Sequence, residues 1–294
     1  MKLNYFRLSS GALLLALAAC SPLGQQTAPA PTSTAYVDAT ATRDDNLALG
    51  NPSGATTDAA NSPNNYLLSK SQYTLSYSRD QGKPNWVSWH LSAAWLGSTA
   101  RQDNFAADGA LPSSWYRVGS TSYSGSGFDR GHNCPSADRT GSVADDSATF
   151  LMTNMMPQAS TNNQQTWAGL ENYCRTLVNN GNELYIIAGS YGKGGTGVNG
   201  YATTIDNGRV TVPSNCWKVV VVLPVGTSDV SRITSSTRVI AVNMPNTTAI
   251  GTAWGSYRTS VDAIENATGY NLLSAVSSAI QSSIESKTDA GATN

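Results

Sequence analysis

The chain has 294 residues, with 18 basic and 19 acidic side chains and a formal net charge of −1. A protein that holds nucleic acid tightly through broad release of counterions is usually basic, so this charge argues against that class. A local basic cleft that binds a ligand and then releases it stays open.

The first 19 residues have the pattern of an export signal. Lys2 and Arg7 give a positive start, and the apolar run at residues 11–19 is too short to span a bilayer. Small residues stand directly before Cys20, which resembles a bacterial lipoprotein signal in which that cysteine is lipidated. An ordinary secretory signal is the alternative. Both predict an exported chain, and removing the two positive charges lowers the net charge from −1 to about −3.

Residues 20–64 are rich in Ala, Thr, Ser, Pro, Asn and Gly and contain few large apolar side chains. Such a segment buries too little surface to offset the entropy of ordering it, so its composition predicts a flexible tether. Residues 65–294 have the length of one domain with a full hydrophobic core.

In chain order, the domain begins with two predicted strands, at residues 73–77 and 86–91, joined by the turn Asp80–Pro84. A further strand is predicted at residues 148–153. Later segments rich in β-branched residues predict buried strands at residues 184–188, 210–212, 217–223 and 239–242.

The clearest helix is predicted at residues 164–180, where apolar side chains follow helical spacing and Gly181 supplies a C-terminal stop. A short helix at residues 261–267 ends before Gly269, and a final amphipathic helix is predicted at residues 272–286. Strands and helices are mixed without a regular βαβ repeat. We therefore predict an α+β fold with a mostly antiparallel central sheet flanked by helices.

Three cysteines follow Cys20 along the chain, at positions 134, 174 and 216. In an oxidising compartment they allow one disulfide and one leftover thiol. The pairing stays open. A bond between Cys174 and Cys216 is favoured, because Cys134 lies within the loop that carries the candidate chemistry.

That loop is rich in glycine and ends in Asp129, Arg130, Gly131 and His132, with Arg139 shortly after. Histidine titrates near neutral pH and is a natural base for deprotonating water, and arginine can bind a phosphate through two hydrogen bonds. Gly131 allows a backbone angle that other residues avoid. The alternative interpretation is a turn that exposes a histidine.

Asn163 and Glu171 follow on the predicted helix, two turns apart. Asn163 either caps the helix or serves as a neutral oxygen ligand of Mg²⁺, which keeps several waters and needs few protein ligands. Glu171 lies at the edge of the apolar stripe and can organise water near such an ion. Arg175, four residues later, either forms a surface ion pair with Glu171 or belongs to a partly buried pair facing the same cleft.

Three motifs in this order together resemble the sugar-non-specific DNA/RNA endonucleases, the ββα-metal nucleases with a D-R-G-H motif. The motifs are DRGH at 129–132, MTNMMPQ at 152–158, and the segment 162–171 with Asn162, Asn163, Gln164, Trp167, Leu170 and Glu171. Segments 217–221 and 264–270 are similar to secreted cyanobacterial members of this family. The similarity extends from Tyr66 to Ser286.

The resemblance implies a ββα-metal nuclease fold with one active-site Mg²⁺ or Mn²⁺, and cleavage of single- and double-stranded DNA and RNA to 5′-phosphate products. By position it makes His132 the general base, Asn163 the metal ligand and Glu171 the carboxylate that organises water. Arg101 takes the place of the arginine that stabilises the transition state, in a local sequence that is only loosely similar to the family. Supporting roles in substrate binding fall on Asp129, Arg130 and Arg175.

We therefore expect an exported, Mg²⁺-dependent endonuclease, either lipid-anchored to the cell envelope through Cys20 or secreted. Its expected partners are DNA and RNA, the membrane through the anchor alone, and an inhibitor protein. The alternative is a non-cleaving, nucleic-acid-binding lipoprotein of an uptake system, against which the intact base, ligand and carboxylate argue.

Two further features predict structure and not chemistry. The segment Gly192–Gly197 lacks the spacing of a phosphate-binding loop and predicts a flexible hairpin. His90 lies on a strand and is expected to have a structural role.

Overall fold

A computed structural model describes Met1 and residues 40–294. The remainder of the expected signal, Cys20 and the expected tether up to residue 39 lie outside the described residues. Within the described residues, no helix has both the length and the apolar character needed to cross a membrane.

A seven-stranded antiparallel sheet organises the described part of the chain. The strands are, in chain order, β1 (Tyr66–Ser69), β2 (Thr74–Ser78), β3 (Lys83–Leu91), β4 (Asp129–His132), β5 (Met155–Gln158), β6 (Asn182–Tyr191), β7 (Gly195–Gly197), β8 (Gly200–Ala202), β9 (Thr204–Ile205), β10 (Val210–Thr211), β11 (Asn215–Pro224), β12 (Arg238–Pro245) and β13 (Arg258–Thr259). The order across the sheet is β1-β2-β3-β6-β11-β12-β13, and its neighbours are antiparallel. The other strands form the two-stranded ribbons β4–β5, β7–β8 and β9–β10.

The helices lie between and after these strands. They are α1 (Val143–Ala148), α2 (Ala168–Asn179), α3 (Asp229–Arg232), α4 (Val261–Thr268) and α5 (Ser278–Ile284). A π-helical segment, Asn162–Trp167, leads directly into α2. Short 3₁₀ turns occur at Ala93–Trp95, Ser136–Asp138, Met152–Asn154 and Trp254–Tyr257. These elements confirm the predicted α+β class with a mostly antiparallel sheet.

The sheet is covered on both faces. On β11, Val220 belongs to one hydrophobic cluster, which also contains Trp167 and Leu170 of the helical segment; we call this side the first face. Val219 and Val221 belong to the other cluster, with Ile264 of α4 and Ile284 of α5 among its members; we call this side the second face. Because both faces of the sheet are buried, the sequence of β11 contains a continuous apolar run and does not alternate between apolar and polar residues.

Residues 43–64 pack against the domain, which was not expected from their composition. Leu49 is 2% exposed within the second-face cluster. The Asn46 side chain accepts a hydrogen bond from the backbone of His90, 3.1 Å. The Arg43 guanidinium lies 4.2 Å from the Trp95 ring centroid and 3.1 Å from the Asp145 carboxylate. The folded domain therefore begins before the expected boundary at residues 64/65. A few specific contacts hold this segment against the domain, although its average composition is polar.

Most predicted elements are confirmed, with two exceptions. No strand forms at residues 148–153: α1 ends at Ala148 and a 3₁₀ turn begins at Met152. The predicted final helix is confined to α5, because the chain at residues 272–277 turns to bury Leu272, Leu273 and Val276. The helix stop at Gly269 is confirmed by its φ of +76°.

The three cysteines of the described residues do not pair with one another. Cys134, Cys174 and Cys216 are free and buried, so the favoured Cys174–Cys216 disulfide is wrong. All three belong to the first-face cluster, where they pack as small apolar side chains. Burial raises the pKa of each thiol to about 12.

Candidate active site

The motif Asp129–His132 forms a strand, and not an open loop. It pairs with β5 so that Asp129 lies opposite Gln158 and His132 opposite Met155. Gly131 does not have a positive φ. A side chain there would instead meet the Gln158 side chain, with the added Cβ 2.6 Å from the Gln158 Cβ. Glycine is needed here for the close approach of the two strands, and the unusual backbone angle that it allows is not used.

The π-helical segment places Asn163 beside this ribbon. Thr161 occupies the N-cap position, so Asn163 does not cap the helix. Its Nδ2 donates to Asp129 Oδ2 at 2.8 Å, and Gln164 Nε2 donates to the same oxygen at 2.9 Å. An ionised carboxylate only accepts hydrogen bonds, so the amide nitrogen must face Asp129 and Oδ1 points away from it. Local π-helical geometry of this kind is frequent at functional sites.

A polar cleft of about 330 Å³ brings four of the predicted residues together: Arg101, Asp129, Arg130 and Asn163. Its other lining residues are Asp103, Phe105, Ser120, Tyr123, Ser124 and Phe128. The strand β4, the π-helical segment and an irregular part of the chain each contribute lining residues, so residues that are distant in sequence meet here.

His132 lies beneath this cleft and is 8% exposed. Its ring makes edge-to-face contacts with two phenylalanine rings, at centroid distances of 5.7 Å to Phe105 and 5.0 Å to Phe150. Trp167 Nε1 donates to the His132 carbonyl oxygen at 3.3 Å and so ties the strand to the helical segment. The His132 Nε2 atom is buried and has no hydrogen-bond partner among the described residues.

The pKa of His132 is lowered from its ordinary value of 6.5 to about 3. Burial is the largest cause, because it disfavours the charged ring. The positive charges of Arg101 and Arg130 lower it further, whereas a backbone hydrogen bond to Arg130 opposes them. The Nε2 atom has no partner among the described residues, so it is available to accept a proton or a hydrogen bond.

The two arginines of the cleft are held by aromatic rings. The Arg130 guanidinium carbon lies 3.8 Å from the Phe105 centroid, and that of Arg101 lies 4.7 Å from the Phe150 centroid. Arg101 Nε also contacts Asp103 Oδ1 at 2.7 Å, although half of its side chain is exposed. The same phenylalanines therefore position both the histidine and the cations around it.

Glu171 and Arg175 do not line the cleft and do not pair with each other. Glu171 Oε1 lies 3.3 Å from Lys218 Nζ, a buried ammonium that sits 4.1 Å from the Trp167 ring centroid. Burial raises the pKa of Glu171, and Lys218 opposes the shift. Arg175 instead contacts Asp138 at 2.7 Å. Both alternatives foreseen for a Glu171–Arg175 pair are wrong.

Arg139 and His90 have structural positions. Arg139 is fully buried and donates to the carbonyl oxygens of Gln72 and His90. His90 is buried on the second face, where its Nε2 lies 3.3 Å from Glu183. The structural role expected for His90 agrees with these contacts.

The donor set around the cleft fits a hard divalent cation. Asn163 Oδ1 is a neutral oxygen that forms no hydrogen bond within the described residues, and Asp129 fixes its direction. Mg²⁺ and Mn²⁺ accept oxygen ligands, and Mg²⁺ retains several waters, so one direct protein ligand is sufficient. Asn163 is therefore the residue that would hold such an ion.

Sequence reasoning missed the residues that support this site. Phe105, Phe150 and Lys218 carry no motif of their own, and an aromatic side chain or a buried lysine in a strand is ordinarily read as core. Asp103 has a positive φ of 50°, an uncommon conformation for a residue other than glycine, but this is visible only in the structure.

Comparisons with known proteins point to one family. Residues 51–279 match the model of a family described as DNA/RNA non-specific endonuclease. A nuclease of Nostoc sp. is 49% identical over 283 residues, which cover 96% of this chain and 98% of that protein. Nuclease C1 of Cunninghamella echinulata is 34% identical over 53% of this chain and 65% of its own length. Human mitochondrial endonuclease G is 29% identical over 54% of this chain and 56% of its own length.

A solved structure shows the same fold. The crystal structure of the EndoG/EndoGI complex matches with a TM-score of 0.65 and 24% identity, over 81% of this chain and 95% of the matched one. The ribbon β4–β5 and the helical segment that follows it are the ββα unit of this fold, with His132 on the ribbon and Asn163 on the helical segment.

Proposed function

Because the chain belongs to the DNA/RNA non-specific endonuclease family, we propose that His132 and one divalent ion held by Asn163 carry its phosphodiester hydrolysis. The preferred ion is Mg²⁺, with Mn²⁺ as a substitute, and the products carry 5′-phosphates. The observation on which this proposal rests is the buried, unpartnered Nε2 of His132 beneath a cleft that holds two arginines and Asn163.

His132 acts as the general base. Its Nε2 is buried without a partner, and we assign to this atom the lone pair that takes a proton from water. The resulting hydroxide attacks phosphorus, the bond from phosphorus to the 3′ oxygen breaks, and that oxygen leaves with a proton taken from water, so the phosphate stays on the 5′ side. Leaving a buried nitrogen without a hydrogen bond costs about 1–3 kcal/mol, and a water or substrate atom in the cleft relieves that cost.

Substrate binding strengthens this base. A pKa near 3 makes the free histidine a weak acceptor of protons, and two of the causes are the charges of Arg101 and Arg130. A bound phosphate neutralises both guanidiniums and adds a negative charge nearby, which raises the pKa of His132. Proton transfer is thereby coupled to occupancy of the cleft.

Arg101 and Arg130 bind the phosphate and stabilise the negative charge that builds up as the bond breaks. The aromatic rings beneath them hold both side chains in place before substrate arrives. When it is bound, the divalent ion supplies further positive charge against the phosphate oxygens. Cleavage of both RNA and DNA follows if these contacts go to phosphate and none goes to the 2′-hydroxyl.

Asp129 and Glu171 have positioning roles. Asp129 binds the amide nitrogen of Asn163 and so leaves its oxygen free, and that oxygen would hold the ion. Glu171 is fixed by Lys218 on the helix that follows Asn163 in the chain, and we propose that its carboxylate organises water near the ion. Arg175 is held by Asp138 and supports substrate binding only as a more distant cation.

We infer that the chain is exported, with lipid on Cys20 as anchor. We also propose an inhibitor protein as a partner, since EndoG, whose fold is the same, has been crystallised with EndoGI.

The direct test compares nuclease activity on supercoiled plasmid and on RNA, with Mg²⁺ and with EDTA. We expect cleavage of both substrates, loss of cleavage in EDTA, and a fall in kcat of at least about 10² in His132→Ala with little change in KM. His90→Gln is the matched control, because it alters the other histidine on the opposite face of the sheet. Binding of plasmid without any cleavage by the wild type would favour the non-cleaving lipoprotein instead.

A further inference from the structure

Three carboxylates on the second face lie together, away from the cleft. Asp262 and Glu265 belong to α4, and Glu285 directly follows α5. One carboxylate oxygen from each lies within 4.8 Å of the other two. Among the ion pairs formed by residues 40–294, none involves any of the three.

Glu285 has the most unfavourable surroundings of the three. It is 5% exposed, and its Oε1 atom is buried without a hydrogen-bond partner among the described residues. Burial, followed by the charges of Glu265 and Asp262, raises the pKa of Glu285 to about 7. A buried carboxylate normally acquires a partner, because leaving it unpaired is costly.

A second acidic group on the same face shows the contrast. There Asp44, His90, Glu183 and Asp229 come together, but Arg232 pairs with both Glu183 and Asp229 and offsets their charge. No arginine or lysine among the described residues does this for the group around Glu285.

The backbone holds the three carboxylates in a fixed arrangement. The Asp262 N–H donates to the Glu285 carbonyl oxygen at 3.1 Å, which joins the start of α4 to the end of α5. Residues three apart on a helix lie on one side, so Asp262 and Glu265 face the same space. The Leu272 N–H donates to Glu265 Oε1 at 2.7 Å and fixes that side chain.

We propose that Asp262, Glu265 and Glu285 form a Ca²⁺ site that fastens the end of α5 to α4. All three donors are hard carboxylate oxygens, and no nitrogen or sulfur ligand is in the group, which favours Ca²⁺ or Mg²⁺ over zinc or copper. Ca²⁺ accepts carboxylates in one- or two-oxygen contacts with irregular geometry, whereas Mg²⁺ requires a near-ideal octahedron. The site is independent of the nuclease chemistry, because it lies on the opposite face of the sheet from Asn163.

The test measures the folding equilibrium by denaturant unfolding with CaCl₂ or MgCl₂, in the Asn163→Ala background so that the cleft does not contribute. At a Ca²⁺ concentration of 100 times Kd, we expect the ratio of folded to unfolded protein to rise about 100-fold. Equilibrium dialysis should give one Ca²⁺ per chain, and MgCl₂ at the same concentration should give a smaller gain.

Glu285→Gln should abolish the gain with Ca²⁺. Without Ca²⁺ this variant should be at least as stable as its parent, because it removes a buried unpaired charge. Asp80→Asn is the matched control, since it removes an exposed negative charge at a side chain that is 56% exposed, and it should keep the full Ca²⁺ response.

Three results would overturn the proposal: no Ca²⁺ gain in the parent, an undiminished gain in Glu285→Gln, or an equal gain with Mg²⁺. If Glu285→Gln does not fold, Asp262→Asn at a half-buried position provides the same comparison. Nuclease activity of Glu285→Gln with Mg²⁺ should equal that of the wild type, so failure of this proposal is separate from failure of the proposed catalytic roles.

Discussion

Burial and two neighbouring arginines keep the His132 ring neutral over the whole range in which a general base is useful. This environment of His132 makes the free energy of unfolding depend on pH. The folded pKa lies below the unfolded one, so between pH 6.5 and about 3 the unfolded chain binds a proton that the folded chain does not. The contribution of His132 to stability is therefore present above pH 6.5 and is lost as the pH falls towards 3.

Proton NMR can check this protonation state directly. We expect the His132 ring signals to remain those of the neutral form from pH 8 down to about pH 5, since the pKa lies near 3. Adding inorganic phosphate should raise the titration midpoint, because the anion offsets Arg101 and Arg130. With only two histidines in the chain, the signals are assigned by their absence in His132→Ala. A midpoint near 6.5 without phosphate would contradict the environment described here.

Asn163 offers a second test on the scale of single residues. Asn163→Ala should raise the Mg²⁺ concentration needed for half-maximal activity, because it removes the oxygen that would hold the ion. The free energy of unfolding should fall by only about 1 kcal/mol, the worth of its hydrogen bond to Asp129. Gln164→Ala is the matched control, since it removes a hydrogen bond to the same Asp129 oxygen. Indistinguishable Mg²⁺ titrations of Asn163→Ala and wild type would exclude Asn163 as the ligand.

Some of these residues could be identified from sequence and others could not. His132, Arg130, Asp129 and Asn163 stand in motifs whose chemistry is recognisable, and the structure brings them to one place. The pairing of Glu171 with Lys218 was not foreseen, because it joins a helix to a strand 47 residues away. Helical spacing predicts neighbours only within an element, so it suggested Arg175 instead.

At the scale of elements, the site depends on the close packing of β4 against β5. The absence of a side chain at Gly131 lets Gln158 lie across the ribbon. The two ends of this ribbon are connected differently to the helical segment: Asp129 binds the side chains of Asn163 and Gln164, and the His132 carbonyl binds Trp167. The helical segment follows β5 in the chain, so moving β4 relative to β5 would shift His132 relative to Asn163.

Gly131→Ala tests this dependence. The added Cβ would collide with Gln158, and we expect a loss of about 1–3 kcal/mol in the free energy of unfolding together with reduced kcat. Gly109→Ala is the control, because no atom lies within 4 Å of its added Cβ and its φ is not in the positive range. Unchanged stability and activity in Gly131→Ala would mean that the ribbon adapts without cost.

Element prediction succeeded where the sheet is buried on both faces and failed where tertiary contacts override local pattern. The β-branched runs of β6, β11 and β12 predict strands unambiguously. Residues 148–153 have the same apolar character, but Phe150 and Met152 are buried from an irregular segment whose carbonyl at Thr149 is bound by the Asn154 side chain. A short apolar run alone does not distinguish these cases.

On the scale of the whole molecule, the sheet separates the region of the cleft from the region of the proposed Ca²⁺ site. The first face carries the ββα unit and the cleft, and the second face carries α4, α5 and the carboxylates of the proposed Ca²⁺ site. The chain from Arg43 onward belongs to this folded unit. Composition alone placed the boundary some twenty residues later, because it weighs the average of a segment and not the few contacts that hold it.

The expected anchor is tested by cell fractionation. If Cys20 is lipidated, the wild type should be found with membranes, because two or more acyl chains hold a protein stably at a bilayer. Cys20→Ser should be released as soluble, active enzyme or remain unprocessed. Cys134→Ser, which changes a buried thiol within the domain, is the control for the loss of a cysteine. Equal amounts of released nuclease from wild type and Cys20→Ser would indicate an ordinary secretory signal.

The three buried thiols of the first face affect how long this enzyme stays active. At neutral pH a thiol with a pKa of about 12 is almost never a thiolate, so these three thiols react slowly with oxidants and disulfides while the domain is folded. Once the first-face core opens, all three become ordinary cysteines at the same moment and can cross-link wrongly before the chain closes again. In oxidising surroundings, an enzyme molecule can be inactivated irreversibly each time this core opens. The working lifetime of the enzyme is then governed by how often the core opens, and not by how large a fraction is unfolded at any instant.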